Sequence, residues 1–130
     1  MHASIHVVAA VIRAEGKYLC ARRKPEKSAG GYWEFPGGKV ETNELPNLAL
    51  ERELAEELGI TVAVGEKLGE TLSGNAPAIR LEFYECKIPS QIEVKSTDHD
   101  RLVWLPLEEL LSLEWAPADL PFVEQLVGHA

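Results

Sequence analysis

Residues 38–60 read GKVETNELPNLALERELAEELGI. Pro46 suits the first position of a helix and Gly59 its stop, which predicts a helix from Pro46 to Leu58. The residue before the proline is Leu45, a poor cap, so Asn43 stands as the substitute. Leu50, Leu54 and Leu58 recur at i, i+4 and i+8 and form a docking ridge. At 100° per residue, Glu53, Glu56 and Glu57 fall within one arc of about 100° on the adjoining face. The segment holds six glutamates against Lys39 and Arg52, a local charge of −4 and half of the chain's −8. Two readings stand for that charge. It is a solvated acidic face, as most charge runs are, or it is an oxygen-ligand set for a divalent cation. Like charges at i, i+3 and i+4 cost a helix a few tenths of a kcal/mol per pair, which the first reading leaves uncompensated.

Working outward, residues 4–13 (SIHVVAAVIR) are β-branched and apolar with little alternation, as in a strand covered on both faces. Glu15-Gly16-Lys17 is a turn, and Tyr18 to Arg23 returns as the second strand of a hairpin. Residues 24–31 are polar and glycine-containing, hence a loop, and Trp33 to Val40 is short and extended. Beyond the acidic helix, strands are expected at Thr61–Ser73, Ala78–Ile88 and Arg101–Leu105. Short helices are expected at Leu107–Leu113 and Pro121–His129. In the second of these strands Ile79, Leu81 and Phe83 alternate with Arg80, Glu82 and Tyr84. Strands mixed with a few helices predict one α/β domain, layered α/β/α around a mixed sheet.

At 130 residues the chain is long enough to bury its own core without a staple. The acidic balance argues against a nucleic-acid duplex, whose phosphates select Lys and Arg. Phosphate chemistry on so acidic a protein calls for a cation between the like charges. Cys20 and Cys86 lie in apolar strand stretches and read as buried small hydrophobes in a reducing compartment. The first apolar run, Val7 to Ile12, is too short for a bilayer and has no basic segment before it. With no membrane partner and no targeting signal, the cytoplasm is the expected location. His2, His6, His99 and His129 show no metal-ligand spacing.

The acidic segment satisfies every position of the Nudix box: Gly38-x5-Glu44-x7-Arg52-Glu53-Leu54-x-Glu56-Glu57-x-Gly59-Ile60. Trp33-Glu34-Phe35-Pro36-Gly37-Gly38-Lys39-Val40-Glu41 resembles the lead-in of MutT-type enzymes and CTP pyrophosphohydrolases, and Ala21-Arg22-Arg23 their second strand. Ala116-Pro117-Ala118-Asp119-Leu120-Pro121 is similar to the start of their last helix, particularly in the CTP pyrophosphohydrolase branch. The chain is therefore identified as resembling Nudix hydrolases over nearly its full length.

That resemblance implies a Nudix fold and a set of roles. Glu53, Glu56 and Glu57 bind Mg²⁺ or Mn²⁺, with the Gly37 carbonyl as a further ligand. Arg52 orients the glutamates through an ion pair, and Glu44 is structural or simply solvated. The family supplies a further acid about six residues before a late tryptophan. Counting back from Trp104 reaches Asp98, a departure, since aspartate is one methylene shorter than the usual glutamate; Asp100 and plain loop solvation are the alternatives. Glu53 is the expected general base. Arg23, then Lys39, are the phosphate-binding candidates, against ordinary surface charge. The Gly37-Gly38 pair permits close approach of backbone to phosphate. Asp119 either reads the base through its acceptor oxygens or caps the last helix. The backbone of Glu34 and Phe35, and the rings of Phe35, Tyr84 and Trp115, are candidates to meet the base or to fill the core.

The implied reaction converts a nucleoside triphosphate to the monophosphate and pyrophosphate, by water attack at the β-phosphorus. Oxidised or modified nucleotides (8-oxo-dGTP, 5-hydroxy-dCTP) or CTP are the expected substrates of a monomer or homodimer. Hydrolysis of ADP-ribose, a dinucleoside polyphosphate or dihydroneopterin triphosphate is the rival within enzymes. A binding module without catalysis is the rival outside them.

Overall fold

A computed structural model describes residues 4–74, 78–88 and 95–128. Its central strand is β1 (Ile5–Ala14), which turns at Glu15-Gly16 into β2 (Lys17–Arg23). β3 (Trp33–Glu34) and β4 (Gly37–Lys39) follow, then helix α1 (Pro46–Leu58). Next come β5 (Val64–Ser73), β6 (Ile79–Lys87) and β7 (His99–Pro106). A 3₁₀ turn at Leu107–Ser112 leads to helix α2 (Leu120–Gly128). The seven strands form one sheet along the path β3-β2-β1-β6-β5, with β4 on β1 and β7 on β2. β1 and β6 run parallel from Ile5↔Ile79 to Arg13↔Lys87, and every other pairing is antiparallel.

The expected α/β class with a mixed sheet between helices is what the chain forms. Successive side chains of a strand point to opposite faces, and β1 uses both. Val8, Ala10 and Ile12 pack with Ala49, Leu50, Leu54 and Leu58 of α1. Ala9 and Val11 pack on the other side with Phe83, Leu110, Trp115, Phe122 and Val123. Burying each leucine of the α1 ridge contributes roughly 1.5–3 kcal/mol, so the ridge alone fixes the helix to the sheet. Gly59 ends α1 in a left-handed conformation (φ 68°), and its N–H reaches the Ala55 carbonyl at 3.1 Å.

Several boundaries differ from the sequence reading. Asn43 does not cap α1: it sits at φ 66° in the turn where the Glu44 N–H meets the Glu41 carbonyl, and no side chain caps the helix. Pro46 at the first turn has no N–H to satisfy, which lowers the need for a cap. The extended run 33–40 is cut at Pro36, so β3 pairs with β2 while β4 pairs with β1. The Pro36 carbonyl still accepts from the Ala10 N–H at 2.7 Å. β1 and β2 thus diverge from their hairpin, and residues 33–39 fill the fork between them. The strand expected from Thr61 begins at Val64, because Ile60 and Val62 are drawn into the core under α1. The helix expected at 107–113 is a 3₁₀ turn. The last helix starts at Leu120, and His129, like His2, lies outside the described residues.

Glu82 breaks the polar-outward alternation of β6. It is buried on the α1 face and held by His6, by Lys67 (2.6 Å) and by Arg80 (3.2 Å). Burial alone would raise its carboxyl, but these cations together pull it down to about 2. Both cysteines are buried and free, and burial pushes each thiol up to about 12.

Candidate active site

α1 lays its carboxylates beside β4 at three depths. The Glu56 side chain is exposed, Glu53 is largely covered, and Glu57 is 5% exposed. Glu53 lies directly on the backbone of Gly38: a Cβ added there would stand 2.3 Å from its carboxyl carbon. A Cβ at Gly37 would meet the Val8 carbonyl oxygen at 1.9 Å. Gly37 is therefore required by the close approach of the β1 backbone, whereas at Gly38 a side chain would displace the Glu53 carboxylate.

Arg52 is the hub of this face. Its guanidinium takes both oxygens of Glu44 (2.9 and 3.0 Å) and donates from Nη1 to Glu53 Oε1 at 3.0 Å and Glu56 Oε2 at 3.2 Å. Nη2 also reaches the Lys39 carbonyl at 3.3 Å, tying α1 to β4. These hydrogen bonds hold the Glu44 carboxyl down at about 2. Glu44 is thus a fixed partner of Arg52 and not a solvated residue.

Deeper in the fork, the fully buried imidazole of His99 bridges two acids. Nε2 lies 2.8 Å from Glu34 Oε2, and Nδ1 lies 3.2 Å from Glu57 Oε1 and 2.6 Å from Ser96 Oγ. Arg23 Nη1 donates to the same Glu34 oxygen at 3.0 Å, and its Nε to the Ser28 carbonyl at 2.6 Å. Burial, then the charges of Asp98, Glu34 and Glu53, push the Glu57 carboxyl up to about 8. Glu53 is also raised, chiefly by burial, against the pull of Arg52. Asp98 adds its charge to this group while pairing with Lys27 at 3.2 Å. Asp100 is taken up by Arg22 (2.8 and 3.2 Å).

His99 is the residue that sequence reading passed over. Spacing rules for metal ligands do not find it, because it contacts acids from α1 and β3 that lie far away in sequence. Its only sequence signal is a position between Asp98 and Asp100 at the start of β7.

The carboxylates of Glu53, Glu56, Glu57 and Asp98 are hard oxygen donors of the kind a divalent cation takes, and Glu53 stands against the backbone of Gly38. Buried acids that raise one another are relieved by positive charge among them, which supports the fit. Among the described residues no three acidic, His or Cys side chains already converge on one point. Arg52 and His99 hold the glutamates instead.

On the opposite face of the sheet opens a cleft of about 550 Å³. Its walls are Val7, Ala9, Phe35, Leu81 and residues 116–119, and its mouth carries Arg23, Gly37, Gly38 and Lys39. The wall at 116–119 is pinned twice. The Ala116 N–H meets the Trp33 carbonyl at 2.8 Å, and Thr71 Oγ1 donates to the Ala118 carbonyl at 2.6 Å. Asp119 lies 3% exposed in this wall, and its Oδ2 accepts from the Phe35 N–H at 3.2 Å. Burial, then the Glu34 charge, hold its carboxyl well above the usual range. Its own carbonyl accepts from the Val123 N–H, but its carboxyl turns across to Phe35, just past β3. Trp115 sits in the core, 4.9 Å from the Phe35 ring, and Tyr84 lies on the α1 face, so neither ring lines the cleft. Of the two roles open to those rings, filling the core is the one they take.

A family model for the NUDIX domain matches residues 2–126. Among curated relatives, the CTP pyrophosphohydrolase of Escherichia coli is 40% identical over 125 residues, covering 95% of this chain and 92% of that protein. The 8-oxo-dGTP diphosphatase of Haemophilus influenzae is 31% identical over 127 residues, covering 96% and 93%. Of solved structures, the MutT protein from Methanosarcina mazei superposes with a TM-score of 0.87 at 28% identity, covering 98% of this chain and 96% of that one. The E. coli ORF135 protein superposes with a TM-score of 0.80 at 38% identity, covering 98% and 91%. The chain therefore belongs to the Nudix family, as a hydrolase of the MutT type. Nudix hydrolases act on small nucleotide substrates, and no described helix is long and apolar enough to cross a membrane.

Proposed function

We propose that this protein is a Mg²⁺-dependent nucleoside triphosphate pyrophosphohydrolase that releases the monophosphate and pyrophosphate from CTP or from an oxidised or modified nucleotide. The observation that carries the reading is the continuity of two sites across Gly37-Gly38. A buried acid cluster lies against this backbone on one face, and a nucleoside-sized cleft ending at buried Asp119 opens on the other. The relatives named for CTP and 8-oxo-dGTP hydrolysis align over nearly all of the chain, which favours triphosphates over dinucleotides or ADP-ribose.

Glu53, Glu56, Glu57 and Asp98, with the Gly37 carbonyl, are the residues that would hold the cation. A cation held there would supply positive charge for the phosphate oxygens and help activate the attacking water. Arg52 orients Glu53 and Glu56 while anchored on Glu44. Glu53 accepts the proton of the attacking water, a role suited to a carboxyl resting on the backbone that flanks the cleft. Arg23 and Lys39 at the mouth meet the phosphates, and Asp119 meets the base. With Asp119 Oδ2 engaged by the Phe35 N–H, the other oxygen is left for the polar edge of the base.

The test is a panel of CTP, dGTP, 8-oxo-dGTP, 5-hydroxy-dCTP, ADP-ribose and a dinucleoside tetraphosphate with Mg²⁺, products resolved by chromatography. Monophosphate plus pyrophosphate from one or two triphosphates is the expected outcome, abolished in Glu57→Gln. Cleavage confined to ADP-ribose or the dinucleotide overturns the triphosphate assignment, and no turnover on any substrate overturns the enzymatic reading.

A further inference from the structure

Two carboxylates from different halves of the site meet on one rigid ring. Glu57 belongs to α1 and faces the other acids; Glu34 belongs to β3 and lines the cleft. His99 stands between them, fully buried, with Nδ1 toward Glu57 Oε1 and Nε2 toward Glu34 Oε2. We infer that His99 is a positioning residue: its Nδ1, bonded to Ser96 and standing 3.2 Å from Oε1 of Glu57, crowds that oxygen so that this glutamate turns its second oxygen to a divalent cation, while its Nε2 ties the ring to β3. The inference rests on the proposed function above and assigns to that site a residue outside the Nudix box.

The geometry favours this over simple core filling. An imidazole has no internal rotation between its nitrogens, so a shift of either carboxylate is transmitted to the other. Glu34 Oε2 is shared with Arg23 Nη1, which aligns a phosphate-facing cation through the same atom. The next residue, Phe35, anchors Asp119 through its N–H, so the alignment runs from α1 to the base end of the cleft. Ser96 Oγ at 2.6 Å from Nδ1 supports the ring from the side opposite to Glu34. Partners of this kind, one bond removed from a metal, typically change affinity or activity 10–100-fold when lost.

The experiment measures Mn²⁺ binding by electron paramagnetic resonance without nucleotide, alongside thermal melting, for wild type, His99→Phe, His99→Gln and Glu34→Gln. His99→Phe keeps the ring and loses both contacts; it is expected to bind Mn²⁺ about tenfold more weakly or worse. His99→Gln, which keeps one donor and one acceptor, recovers part of the affinity. The double variant with Glu34→Gln loses less than the sum of the two single changes, because both cut the same bridge. Should His99→Phe not fold, His99→Gln carries the same comparison. A lower melting temperature with unchanged Mn²⁺ affinity reduces His99 to a core residue and overturns the inference while leaving the proposed function standing. A wild type that binds no Mn²⁺ at all removes the metal-dependent function, and the inference with it.

Discussion

On the α1 face of the sheet, the acids stand in a dense ionic lattice. Arg52 alone touches Glu44, Glu53 and Glu56, and His99 touches Glu57 and Glu34. On the α2 face the buried carboxyl of Asp119 sits in an apolar wall and accepts from one backbone N–H. The two halves solve different problems. Gathering charge around phosphate needs many acids and the cations that orient them, since each carboxylate raises its neighbours. Reading a base needs few polar groups, each made expensive to leave unpaired by burial. Loss of one group therefore has different consequences on the two faces, and that contrast can be broken by mutation.

The largest effect is expected on the ionic face. Glu57→Gln removes the charge of a proposed ligand while keeping shape, and turnover should fall by at least the roughly 100-fold that loss of an outer partner produces. The measurement is kcat under saturating nucleotide. A variant within a few-fold of wild type would detach Glu57 from the chemistry. Arg52→Ala comes next: kcat is expected to drop about 10–100-fold with a lowered melting temperature, because Glu44, Glu53 and Glu56 lose their common partner. If only the melting temperature moves, Arg52 supports the fold and not the acids' orientation.

Asp119→Ala probes the other face, and the signature is inverted. KM for the preferred nucleotide is expected to rise about tenfold, the ~1.5 kcal/mol at the upper end for one hydrogen bond. The order of preference among metal ions should stay as it is. Steady-state kinetics with Mg²⁺ and Mn²⁺ in parallel decide it. A change confined to kcat, or a reordering of the metals, would merge the two faces into one and end the contrast.

The same division explains what could be read from sequence. The acid helix was legible because its information is local: a period of 3.6, a proline start, a glycine stop and seven fixed identities within residues 38–60. The cleft was not, because Val7, Ala9, Phe35, Gly37, Leu81 and Asp119 come together only when β4 enters the fork of β1 and β2. Asp119 was singled out, but its partner Phe35 lies 84 positions away and no spacing rule links them. His99 illustrates the same gap, as its two contacts come from α1 and β3. The sequence pattern of β6 misled for Glu82, where alternation cannot foretell that His6, Lys67 and Arg80 make a buried acid tolerable.

A smaller effect sharpens the contrast further through pH. The Asp119 carboxyl is held well above its ordinary value, first by burial and then by Glu34, against the Phe35 N–H and Arg23. In the folded protein it therefore keeps a proton at pH values where the unfolded chain has already lost it. Through that window the folded state binds more protons, so its stability declines as pH rises from the ordinary aspartate range toward the raised value. Asp119→Asn has nothing to titrate there, so its stability should fall less steeply as pH rises above the ordinary aspartate range. Urea unfolding at a series of pH values checks this. Glu57 contributes a slope of the same sign in the metal-free protein, so the quantity to follow is the difference between wild type and Asp119→Asn at each pH, in which Glu57 cancels. Parallel curves for the two proteins would mean that Asp119 is ionised in the fold and that the apolar wall does not set its charge.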